Sequence, residues 1–210
     1  MGLSCLTDPT VSIVLDASTA INLNATGFAE PILRALPTRV LITDTATNEL
    51  KEDQRNRRRD GELISSLVDK RLISVVSLSV TQERHFESLV VGNGIDTLDD
   101  GEAATIAYAT ESGAVAVIDE RKANRICAVL FPQVLTASTI DVLAHKAVEL
   151  SLGSEGLADA VFSALQQARM RVLPHHVDWV VSLIGQSRAQ NCPSLPRAAR
   201  VKISLQSDTR

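Results

Sequence analysis

Residues 11–18 read VSIVLDAS, and the decision about fold lies in that stretch. Val11, Ile13, Val14 and Leu15 make a short, nearly continuous apolar run rich in β-branched side chains, the pattern of a strand covered on both faces. Asp16 follows at once. The same grammar returns at residues 114–119, AVAVID, where an apolar run ends in Asp119. Residues 40–42 and 72–76 read as two further strands, and a short last strand is expected around 133–135, after Pro132. Between these runs the apolar residues recur at helical spacing, as in Leu63, Ile64, Leu67 and Val68, and in Ala103, Ile106 and Ala107 before a stop at Gly113. Strands alternating with helices predict an α/β domain on a five-stranded, mainly parallel sheet sandwiched by helices.

After the last strand the pattern is helical only. Ile140, Leu143, Ala144, Ala147 and Val148 fall on one face, Leu157, Val161, Ala164, Leu165 and Ala168 mark another helix, and Pro174 opens one carrying Val177, Val180, Val181 and Ile184. The expected organisation is a main domain over 1–152, a C-terminal helical extension over 153–187, and a polar, basic, flexible tail over 188–210. A chain of 210 residues, 45% of them hydrophobic, can bury one principal core. The net charge of −4 argues against a protein that coats nucleic acid indiscriminately, so a polyanion must meet a local basic patch. Cys5, Cys127 and Cys192 are too few and too widely spaced for a disulfide framework or a paired-thiolate zinc motif, and read as reduced thiols. With no bilayer-length apolar stretch and no secretory signal pattern, the expectation is a cytoplasmic protein without membrane contact.

The chemistry is carried by acids. In open α/β sheets the carboxyl ends of parallel strands form the functional edge, and Asp16 and Asp119 both stand there. Taken singly, each reads equally well as a helix cap. Glu49, in the helix TATNEL, is by itself an ordinary solvated glutamate, and Glu102 has capping-box spacing from Asp99. Directed at one crevice, however, Asp16, Glu49, Glu102 and Asp119 repel one another unless a cation neutralises them, and an all-oxygen donor set suits a hard divalent ion. His85, His145, His175 and His176 show no zinc spacing with cysteines, and the His175–His176 pair near Asp178 reads as a surface feature of a helix N-terminus.

These pieces resemble a PIN domain, and more narrowly the VapC-like toxins of the branch carrying an LDxGEA motif. The matching stretches are VLDAS at 14–18, TATNEL at 45–50, LDDGEAATIAYA at 98–109 and VIDERKANRICA at 117–128, with LTAS at 135–138. Together they span roughly residues 10 to 152. The resemblance implies a five-stranded parallel sheet between helices and cleavage of single-stranded RNA with Mg²⁺ or Mn²⁺. It maps the family's acids onto Asp16, Glu49, Glu102 and Asp119, and its supporting hydroxyl onto Ser18. Many relatives have Asp where Glu102 stands, and Asp99 and Asp100 lie beside it as alternatives for that position. The toxin analogy also implies a small antitoxin partner and a dimer.

Substrate contact then falls to two basic groups, Lys51, Arg55, Arg57, Arg58 and Arg59 after the Glu49 helix, and Arg121, Lys122 and Arg125 after Asp119. A phosphate backbone threaded between them explains how an acidic chain binds RNA. A solvated run or a docking patch for an acidic protein explains Arg55 to Arg59 equally well. An aromatic content of 3% disfavours recognition by base stacking. Two rival readings are a PIN-fold binding module without catalysis and a phosphoacceptor receiver-like domain. The latter wants adjacent acids after the first strand and a lysine after the last, where this chain has Ala17 and Thr136-Ala137-Ser138.

Overall fold

The computed structural model describes residues 6, 8–52, 59–91 and 97–201. Five strands, β1 (Ile13–Leu15), β2 (Val40–Thr43), β3 (Ser74–Val76), β4 (Val115–Val117) and β5 (Thr136–Ala137), form one sheet in the order β3-β2-β1-β4-β5. Every pairing is parallel, with Leu15 in register with Ile42 on one side and Val117 on the other. This order differs from the 2-1-3-4-5 order of receiver domains, which removes that reading. The direction of winding reverses between β1 and β4, so the crevice of the sheet opens at their carboxyl ends, where Asp16 and Asp119 emerge.

Strand periodicity divides the core into two layers. Ile13, Leu15, Val40, Ile42, Val115 and Val117 face one cluster, which includes residues of α1 (Ala17–Ala25), α2 (Ala29–Ala35), α3 (Asp44–Glu52), α4 (Asp60–Asp69) and α8 (Thr139–Leu143). Val14, Leu41 and Ala116 face the other, with α5 (Val80–Val90), α6 (Asp100–Ser112) and α7 (Arg121–Leu130). Both faces are covered, which is why the strands read as unbroken apolar runs. The last strand lies slightly later than expected, at Thr136–Ala137, because Leu135 is exposed while Ala137 is buried beside Val117.

The C-terminal helices belong to the first layer. Helix α9 (Lys146–Gln167) carries the chain through the expected boundary at residue 152, with a kink at Gly153 (φ 68°, ψ 166°), a conformation open essentially only to glycine. Val148 before the kink and Leu157, Val161, Ala164 and Leu165 after it are buried in the same cluster as Ile13 and Leu15. A 3₁₀ turn (Pro174–His176), α10 (Val177–Ile184), α11 (Gln186–Ala189) and α12 (Arg197–Arg200) follow. Ala189, Cys192 and Leu195 are also buried there, so the segment expected to trail as a tail is anchored at least as far as Leu195. These residues recur every third position, but they are few and are interrupted by Pro193, Pro196 and polar side chains, which is why the segment read as a tail. Among the described residues, no helix is long and apolar enough to cross a membrane.

Candidate active site

Asp16 caps α1. Its Oδ1 accepts the Thr19 amide at 2.6 Å and its Oδ2 accepts the Ser18 hydroxyl at 2.7 Å. The cap reading is therefore realised, but a cap in water does not explain a carboxyl that is only 1% exposed. Burial pushes its pKa up against those hydrogen bonds. Thr19 Oγ1 in turn donates to the Val117 carbonyl at 2.9 Å and ties α1 to the end of β4.

Asp119, 3% exposed, caps nothing of its own helix, since Glu120 takes that place on α7. Its oxygens turn towards α1 and α8. Oδ1 accepts the Thr139 amide at 2.8 Å, while Oδ2 accepts Asn22 Nδ2 at 2.7 Å and the Thr139 hydroxyl. Burial is the main reason its pKa rises to about 6, and the charge of Asp16 adds to it, opposed by the bonds from Thr139 and Asn22.

The two glutamates come in from helices. Glu49, on the exposed side of α3, accepts the Gly101 amide, and its pKa is raised by burial and by the charges of Asp16, Asp99 and Asp100. Glu102, half-buried on α6, is raised to about 7 by burial and by the charges of Asp16, Asp99 and Glu49, with Arg171 pulling the other way. The capping-box reading of Glu102 fails, because Asp99 holds the N-cap backbone position of α6 without a side-chain capping bond. Asp99 and Asp100 are exposed at the rim. One residue couples the set: Asp16 raises the pKa of Glu49, Glu102 and Asp119, although these stand 33, 86 and 103 positions further along the chain.

Gly101 explains its own place between Asp100 and Glu102. A β-carbon there would lie 2.4 Å from Glu49 Oε2. Because that oxygen is the end of a flexible side chain, Gly101→Ala is expected to fold well, with α6 gaining helix propensity, while Glu49 is driven from its amide. The expected result is a melting temperature within about 3 °C of wild type, since the helical gain is under about 1 kcal/mol. Any activity that depends on Glu49 should fall at least about tenfold, the equivalent of about 1.4 kcal/mol.

The basic residues are spread more widely. Arg121 and Arg125 are exposed on α7, Lys122 is half-buried, and Lys51 is exposed near the end of α3. Arg59 pairs with Glu62 at 2.6 Å and lines a cavity of about 690 Å³ with Asn24, Ala25 and Arg169, at the end of α1 remote from Asp16. Arg55, Arg57 and Arg58 lie outside the described residues.

A second polar group lies close by. Asp141 Oδ2 accepts the Ser138 amide at 2.9 Å and hydroxyl at 2.7 Å, and stands 3.1 Å from His176 Nε2. Burial alone would raise Asp141, but the bonds from His176 and Ser138 outweigh it and hold the carboxyl below its ordinary value. His176 is therefore a buried tie between the 3₁₀ turn and α8, not the surface feature expected, while His175 beside it is exposed. Potential ligand atoms of Asp141, His175 and His176 lie within 4.8 Å of one another.

A family model described as PIN domain matches residues 12–186. The chain belongs to the PIN-domain family. No curated protein matches the chain significantly. PIN domains are generally nucleases, and those nucleases usually use divalent metal ions. The match runs well past residue 152, in accord with the burial of α9 and α10 in the main core of this PIN domain.

The acidic crevice fits such an ion by its chemistry. Its donors are all carboxylate oxygens, the choice for Mg²⁺ or Mn²⁺ over softer metals, and burial, the first cause of each raised pKa, disfavours their ionised forms unless a cation offsets the charge. Thr139, Asn22, Gly101 and Arg171 escaped the sequence reading. Asn22 had one available signal: Asp16, Thr19 and Asn22 recur every third residue along an otherwise buried helix, which marks a polar seam. Thr139 follows a capping serine after a strand, again a visible cue, whereas nothing local announces Arg171.

Proposed function

We propose that this PIN domain is a Mg²⁺- or Mn²⁺-dependent endoribonuclease that hydrolyses phosphodiester bonds of single-stranded RNA. The observation that carries the reading is that Asp16 and Asp119 follow the paired strands β1 and β4 at the switch point of the sheet, while Gly101, beside Glu102, packs against Glu49 and against Ala17 next to Asp16. Asp16 and Asp119 are the direct ligands in this reading, with Glu49 and Glu102 completing the shell directly or through water, and Ser18 supporting Asp16. When bound, the ion lowers the pKa of water and neutralises charge developing on the phosphate.

The chain's own residues perform the rest. Thr139 and Asn22 orient Asp119, and Thr19 and Ser18 orient Asp16, so both carboxylates are held before substrate arrives. Glu102, whose pKa of about 7 leaves it part-ionised near neutral pH, would accept from the attacking water and align it. Arg121, Lys122 and Arg125, with Lys51, Arg55, Arg57 and Arg58, would hold the phosphate backbone, whereas Arg59, at the far end of α1, takes no part in that contact. The finer reading is a cytoplasmic VapC-like toxin that dimerises and is held in check by a small antitoxin covering the crevice.

Incubating the protein with labelled single-stranded RNA and Mn²⁺ or Mg²⁺ should give cleavage that EDTA abolishes. Cleavage that survives EDTA contradicts the metal reading. Binding without cleavage on every RNA tried would favour the non-catalytic module.

A further inference from the structure

We propose that Arg171 is a substrate-phosphate contact of the acidic crevice, exchanging its partner Glu120 for the phosphodiester when RNA binds. The inference rests on the nuclease reading and gives the segment after α9 a role in it. Arg171 Nη1 pairs with Glu120 Oε2, and Glu120 directly follows Asp119 at the end of β4. The same guanidinium charge lowers the pKa of Glu102, so Arg171 also stands within electrostatic reach of that carboxyl. Residues on two elements of the site thus locate Arg171 at its rim.

The local chain is built to hold it there. Arg169 turns the chain through a left-handed conformation (φ 53°), and the Met170 amide returns to the Ala164 carbonyl at 3.2 Å, closing the end of α9. Met170 and Val172 are then buried, 1% and 6% exposed, so that Arg171 between them is directed outward. Its side chain remains 65% exposed, and Glu120 engages only part of a guanidinium with five N–H donors.

Charge balance supplies the need. Four carboxylates and one divalent ion leave the crevice net negative, and a phosphodiester approaching it is repelled. A planar cation at the rim offsets that repulsion and can grip two phosphate oxygens together. An exposed ion pair contributes little to folding, so stability alone gives Arg171 no strong reason to stand there.

The test is steady-state cleavage of a labelled single-stranded RNA in Mn²⁺ by wild type, Arg171→Ala, Arg171→Lys and Glu120→Gln, at several salt concentrations, with melting curves alongside. Arg171→Ala should lower kcat/KM at least about tenfold, mainly through KM, as expected for loss of a charged hydrogen bond to phosphate. Its log–log salt dependence should be shallower by about one phosphate contact. Arg171→Lys should recover part of the loss, Glu120→Gln should retain activity, and the melting temperatures should stay within about 3 °C. Wild-type cleavage with an unchanged Arg171→Ala overturns the proposal while leaving the nuclease reading intact. Glu120→Gln losing as much as Arg171→Ala also overturns it, because the arginine would then matter only through its pairing. A wild-type protein that cuts no RNA overturns the nuclease reading and this proposal with it.

Discussion

Asp119→Asn is expected to lower kcat for RNA cleavage by at least about a thousandfold, a barrier increase of about 4 kcal/mol. The substitution removes one full negative charge from the donor set while preserving shape. The amide oxygen can still accept the Thr139 amide, and the Thr139 hydroxyl can rotate to accept from the new NH₂. Asn22, which donates to the same Oδ2, must turn its amide over so that its Oδ1 accepts there; with that flip α1, α8 and β4 keep their junction. Folding should survive where activity does not. Single-turnover cleavage of the variant, with circular dichroism to verify its fold, separates the two. A variant that cuts RNA as fast as wild type would remove Asp119 from the site.

The second large effect is on stability against pH. Asp119 and Glu102 have folded pKa values of about 6 and about 7, above their ordinary 3.8 and 4.5. For groups raised on folding, the stabilising protonation is complete below the ordinary value and is lost as pH rises through the folded one. The metal-free protein should therefore lose stability between about pH 4 and pH 7. Asp119, almost fully buried, can account for about 3 kcal/mol of this by linkage, and Glu102, half in water, for about 1 kcal/mol after screening. Addition of Mn²⁺ should restore the melting temperature at pH 8 and do little at pH 5, where protons occupy the same oxygens. Glu102→Gln should raise the metal-free melting temperature by about 2–4 °C at pH 8 and by almost nothing at pH 5. Melting curves of both proteins at the two pH values, with and without millimolar Mn²⁺, test this. A wild-type curve insensitive to both pH and Mn²⁺ would count against a crowded acid cluster.

Much of this architecture was legible because it is written locally. A parallel strand buried on both faces must be apolar throughout, so VSIVL and AVAVI announced β1 and β4, and the acids that follow them marked the functional edge. The strand order was not local: nothing in either run says that β1 and β4 are neighbours, and the switch point between them appears only when the sheet is assembled. The hydrogen bonds of Asp119 illustrate the same limit. Asn22 and Thr139 stand 97 and 20 positions away, and a polar residue gives no sign of its partner at such distances. Arg171 reads in the sequence as one more arginine after a helix, and only the path of the chain around Met170 and Val172 brings it to Glu120. The packed segment around Cys192 and Leu195 was missed for a different reason. Few apolar residues anchor it, and prolines and polar side chains between them hide their three-residue spacing.

Anomalous scattering from Mn²⁺-soaked crystals at pH 8 examines the central claim most directly. The account predicts a peak at coordination distance, about 2.0–2.3 Å, from carboxylate oxygens of both Asp16 and Asp119. An empty crevice at saturating Mn²⁺, or a peak found only beside Asp141, His175 and His176, would contradict it.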